Sequence, residues 1–134
     1  MSECQLVCVD PVQIKDFWPH VQAMLGRACE RTLHDYNGMK RSLDSGQALL
    51  WLAWDGEVIQ AAATTELHKI NGKLRCFISA LGGQEHERWL HLLAGLEQHA
   101  RNEHCASVVI MGRKAWRRLA KEYRERGVIL ERKL

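Results

Sequence analysis

The stretch from Leu74 to Ile110 constrains the fold more than any other part of the sequence. Its first segment, Leu74 to Leu81, is rich in apolar and β-branched residues and stops at Gly82-Gly83. Trp89, Leu92, Leu93, Leu96 and Ala100 then recur at three- and four-residue spacing, and Ser107-Val108-Val109-Ile110 starts a second β-branched run. Strand, glycine turn, helix and strand in that order make a βαβ unit. Its strands must be parallel, and the helix must cross over right-handedly to pack back onto a twisted sheet. Ligands of such units sit where the first strand's carboxyl end meets the helix amino end, because free backbone N–H groups and the helix dipole converge there. Leu81 to Trp89 is therefore the segment whose chemistry decides what can bind.

The flanking sequence supplies the remaining layers. Gln5 to Val9 predicts a short strand, and Asp10-Pro11 is a residue pair suited to a helix N-cap and first turn. Ile14, Phe17, Val21, Met24, Leu25 and Ala28 mark one face of an amphipathic helix, which Pro19 should break or kink near Trp18. The polar stretch from His34 to Gly46 leaves room for a short helix around Met39 to Leu43. Ala48 to Trp54 is apolar at every position, as expected of a strand covered on both faces. Asp55-Gly56 predicts a hairpin into Glu57 to Leu67, and Asn71-Gly72 turns the chain into Leu74 to Leu81. After Ile110, Arg113 to Arg126 predicts a helix with Trp116, Leu119, Ala120 and Tyr123 inward, capped by Gly127, and Val128 to Leu134 predicts a closing strand. The expected fold class is α/β (α+β), in the order β-α-α-β-β-β-α-β-α-β.

With 134 residues, 46% of them apolar, and no linker or repeat, residues 1–134 read as a single domain with a real core. No apolar run approaches the ~20 residues of a membrane span, and the N-terminus has no signal-peptide pattern, so the expected location is cytoplasmic. Five cysteines without a C-x-x-C pair agree with reduced thiols. Seven histidines include none paired at helical spacing, which predicts no metal site. The segment from Arg113 to Leu134 holds nine Lys or Arg against three Glu. Arg113, Arg117, Lys121 and Arg124 would form a basic stripe on the last helix, suited to phosphates or an acidic partner, or simply to solvent. No surface aromatics interleave it, so nucleic acid is not the expected partner.

LWLAWDGEVIQAAATTE across the hairpin, ISALGG at the fourth strand, LEQHAR at the end of the central helix and EYRERGV near the C-terminus resemble the Gcn5-related N-acetyltransferase (GNAT) superfamily over nearly the whole chain. Within it, LWLAWDG, the glycine pair, the Trp opening the central helix and GRKAW resemble a phage and prophage subgroup. The resemblance implies an acetyl-CoA loop of the form Gln/Arg-x-x-Gly-x-Gly/Ala. It implies backbone contacts from Ile78, Ala80, Leu81, Gly82 and Gly83 to the pantetheine arm and thioester, with Gln84 and Arg88 beside the diphosphate. Tyr123 falls where the family keeps its general acid, and Glu66, beside His68, is the candidate base.

Aligned without a gap, Gln84 holds the loop's first position, but Glu87 and Trp89 replace its small residues. A carboxylate and an indole both oppose close approach of backbone to a diphosphate. Two functions follow: a non-catalytic binding or virion-associated phage component with a degenerate loop, located in the host cytoplasm or virion, or an acetyl-CoA-dependent N-acetyltransferase of an unassigned amine. Family sheets usually carry one strand more than this sequence supplies. The C-terminal strand edge is thus expected to pair with a phage or host protein or with a second copy of the chain.

Overall fold

The computed structural model describes residues 4–112 and 115–134. A five-stranded mixed sheet has the order β1 (Gln5–Cys8), β2 (Ala48–Trp54), β3 (Ile59–Ile70), β4 (Lys73–Gly83), β5 (Ser107–Ile110). Neighbours are antiparallel from β1 to β4, and β4 and β5 are parallel. The helices are α1 (Ile14–Thr32), α2 (Tyr36–Ser45), α3 (Leu93–Asn102) and the single turn α4 (Trp116–Leu119).

The sheet is covered on both faces, which explains the unbroken apolar run of β2. Val21, Leu25 and Cys29 of α1 and Met39 and Leu43 of α2 pack on Leu50, Leu52, Ala62 and Ala80. Trp51, Ala63 and Ile78 pack on Leu96 of α3 on the other face; Trp51 and Ala63 alternate with Leu50, Leu52 and Ala62 as the two-residue period of strands requires. The Trp51 indole N–H donates to Thr65 Oγ1 at 2.9 Å, so this large ring is buried with its polar atom satisfied.

Four expectations need correction. Pro19 does not break α1, which runs from Ile14 to Thr32. The proline removes only the hydrogen bond to the Lys15 carbonyl, on an exposed turn, and the buried stripe carries the helix through it. The central helix begins at Leu93, four residues later than its apolar spacing suggests, after 3₁₀ turns at His86–Arg88 and Leu90–Leu92. The last helix is one turn long and the basic stripe on it does not form; Arg113 and Lys114, its first two residues, lie outside the described residues. Val128 to Leu134 forms no strand, and Gly127 has no left-handed backbone, so it caps nothing. Apolar spacing marks what can be buried and does not fix the backbone that buries it: Trp89 is buried between two 3₁₀ turns, outside the helix. Val128, Ile129, Leu130 and Leu134 are exposed.

Candidate functional site

The site is made by an irregularity in β4. Thr64 lies opposite Ala80 and Thr65 opposite Ile78, so β4 carries one extra residue, Ser79. Its hydroxyl lies 2.9 Å from that of Thr64, both buried. A bulge of this kind bends its strand and increases the local twist. The β4–β5 ladder stops at that point: it runs from Arg75 opposite Ser107 to Ile78 opposite Ile110, and the Met111 N–H donates to the Ile78 carbonyl at 3.1 Å. Beyond it β4 stays with β3 as far as Gly83, and the Gln84 N–H donates to the Gln60 carbonyl at 3.1 Å. The strands therefore splay and leave a notch of about 120 Å³, lined among others by Arg31, Gly82, Gly83, Gln84, Gly112 and Trp116.

Glu87 and Trp89 behave differently from one another in the loop that closes this notch. Glu87 is exposed and its carboxylate lies 3.8 Å from His86 Nδ1, turned to solvent. Trp89 is only 7% exposed and packs among Cys4, Ala53, Ala61, Leu81, Leu92 and Trp116. Its indole N–H donates to the Gln84 carbonyl at 2.8 Å, and its ring centroid lies 6.1 Å from that of Trp116. The indole is a core side chain whose edge walls the notch. The loop's own turns use the N–H groups of Arg88, Trp89 and Leu92, which donate to the carbonyls of Glu85, His86 and Trp89.

No protein-family model matches the sequence, and no curated protein sequence does either. Solved structures do match in shape. A predicted acetyltransferase with acetyl-CoA from Clostridium acetobutylicum superposes with a TM-score of 0.68 at 12% identity, covering 97% of this chain and 96% of that one. The aminoglycoside acetyltransferase meta-AAC0020 from an uncultured soil metagenomic sample, in complex with trehalose, gives 0.66 at 14% identity, covering 98% and 96%. A GNAT family acetyltransferase of Staphylococcus aureus gives 0.66 at 12% identity, covering 98% and 99%. The fold is that of the GNAT acetyltransferases.

Within this GNAT fold the residues singled out from sequence are distributed unevenly. Leu81, Gly82, Gly83 and Gln84 line the notch, and Ile78 and Ala80 flank the bulge just behind it. The two glycines also have a packing reason: a Cβ on Gly82 would come 2.5 Å from the Met24 carbonyl oxygen of α1, and one on Gly83 2.5 Å from the Gln60 carbonyl oxygen of β3. Arg88 reaches Asp55 Oδ2 and Glu85 Oε2, each at 3.1 Å, and its side chain is largely buried. It clamps the loop to the β2–β3 hairpin. Asp55 Oδ1 accepts from the Glu57 and Val58 N–H groups, and Oδ2 from Gln60 Nε2. The Val58 and Glu57 amides first, then Gln60 and the Arg88 charge, hold the Asp55 carboxyl well below the usual carboxylate range. This clamp joins residues 33 apart. Asp55-Gly56 had an adequate explanation as a turn, so nothing in the sequence signalled the pairing.

Tyr123 donates from its hydroxyl to Glu97 Oε2 of α3 at 2.7 Å. Burial first, then this bond, pushes its pKa well above the ordinary phenol value. It lines a larger groove of about 510 Å³ beside the notch, which shares Arg31, Thr32, Met111, Gly112 and Trp116 with it. Glu66 lies two residues along β3 from Thr64, largely buried, with its carboxylate 3.8 Å from His68 Nε2, and it lines neither space. Among the described residues no group of three or more His, Cys, Asp or Glu is placed to hold a metal ion, and no helix is long and apolar enough to cross a membrane.

Proposed function

We propose that this chain is an acetyl-CoA-dependent N-acetyltransferase acting on an amine of unassigned structure. The observation that carries this reading is the splay after Ser79, where β4 leaves β5 and the notch opens against Gly82, Gly83 and Gln84. A strand edge without a partner offers backbone groups to an extended chain with amides of its own, which is the chemistry of a pantetheine arm. Arg31 and His86 supply cationic or polar groups along the same wall, and Glu87, the carboxylate that would repel a diphosphate, points away. Bound acetyl-CoA would supply the activated acyl group as its thioester. The chain's own part is to hold that donor along Ile78 to Gln84 and to exclude water with the Trp89 and Trp116 indoles. For Tyr123 to act as general acid, its hydroxyl must exchange Glu97 for the departing thiolate.

That commitment of Tyr123 to Glu97, together with an indole in the place of a small loop residue, favours a second reading: a non-catalytic binding protein that retains the fold, in a phage or elsewhere. Titration calorimetry with acetyl-CoA separates the two. Measurable binding that is weakened by Gln84→Glu and Ala115→Asp, each placing a carboxylate on the notch wall, supports the transferase. Repulsion of about 1 kcal/mol or more per added charge is expected at contact distance. Absence of binding heat at millimolar acetyl-CoA would leave the binding protein.

A further inference from the structure

The second, larger space next to the notch has its own chemistry. β5 is the last strand of the sheet, paired only with β4 among the described residues, so the peptide groups of its outer edge face the groove. Val108, Ile110 and Ile129 provide an apolar lining. Arg31, Arg117, Arg124 and Arg126 line the same groove against one acid, Glu125. Glu125 pairs with Arg117 at 3.6 Å. Arg31, Arg124 and Arg126 have no carboxylate partner among the described residues. An unpaired strand edge, apolar side-chain contacts and an excess of guanidinium groups coincide in one place.

We propose that this groove takes an extended acidic peptide segment of another protein, added to β5 as a further strand. Strand addition supplies affinity through main-chain bonds along Ser107 to Ile110, about 13 Å of edge at the usual rise per residue. Carboxylates of the segment meet the unpaired arginines, which also fit carboxylate geometry in a bidentate manner. Charge decides against a second copy of the chain as occupant, because its C-terminal segment, with Arg124, Arg126, Arg132 and Lys133, would bring cations to cations. The edge decides against single-stranded nucleic acid, which needs free aromatic faces. Trp116 packs against Trp89, and Tyr123 is held by Glu97. Peptide binding there does not depend on acyl transfer.

Fluorescence anisotropy with a short labelled peptide alternating glutamate and valine tests it on the full chain. The peptide should bind, and binding should weaken with salt and be lost when the peptide's alternate amides are N-methylated. The double variant Arg124→Glu, Arg126→Glu should bind it roughly tenfold more weakly or worse and should gain a lysine–valine peptide. Both positions are exposed, so the variant's thermal melt should match the parent's. No binding, equal binding of the lysine–valine peptide by the parent, or binding that survives N-methylation would overturn the proposal. So would preference for an oligothymidylate, or self-association that shuts the peptide out.

Discussion

Replacement of Trp89 by alanine distinguishes an indole that belongs to the core from one that merely obstructs a ligand site. The side chain is 7% exposed, packs on six residues and donates one hydrogen bond to the Gln84 carbonyl. Removing a core tryptophan costs about 3–5 kcal/mol, from lost transfer free energy and the residual cavity. Such a loss is a large share of the roughly 5–15 kcal/mol that stabilises an ordinary domain. Trp89→Phe keeps most of the packing and loses the N–H, so about 1–2 kcal/mol is expected, with the Gln84 carbonyl left without its donor. Urea denaturation followed by circular dichroism, with equal slopes for the three proteins, would measure both. A cost below about 1 kcal/mol for the alanine variant would refute the placement of the indole in the core. In that case the ring stands in the loop's mouth, and its removal should strengthen acetyl-CoA binding instead of weakening the fold.

Three further outcomes follow from the same geometry. Asp55→Asn should flatten the acid limb of the stability curve. The native carboxyl is depressed, so its contribution is complete above the ordinary carboxylate range and is lost as pH falls through it towards the lower native value, which a urea series at acid pH would show. Tyr123→Phe should cost about 1 kcal/mol near neutrality, discounted for partial exposure, and the parent's advantage should fade as pH rises above about 10, because the raised native pKa stabilises only the protonated phenol. An unchanged midpoint in both ranges would dissociate Tyr123 from Glu97. Gly82→Ala should destabilise by about 1–3 kcal/mol, because the added methyl meets the Met24 carbonyl of α1 rather than open space; a neutral result by thermal melting would mean that α1 and β4 are not so closely packed.

What the sequence determined by itself is periodicity and punctuation. The two-sided apolar run of β2, the stripe of α1, the Asp55-Gly56 and Asn71-Gly72 turns and the Leu74 to Ile110 unit are local patterns, and local patterns survive into the fold because burial selects them directly. The order of the sheet and the place of the notch at the end of β4 follow from them. Tertiary structure decided what depends on partners distant in sequence. The extra residue at Ser79 is defined only against β3, the Arg88–Asp55 clamp closes across 33 residues, and the direction of Glu87 and Trp89 depends on which of them the core accepts. The same holds at the C-terminus, where Val128 to Leu134 has the residues of a strand but forms no ladder with the outer edge of β5. Side-chain propensity is a property of the residue, whereas a β-ladder, an ion pair or a cavity exists only between residues, and the chain has to be folded before those meet.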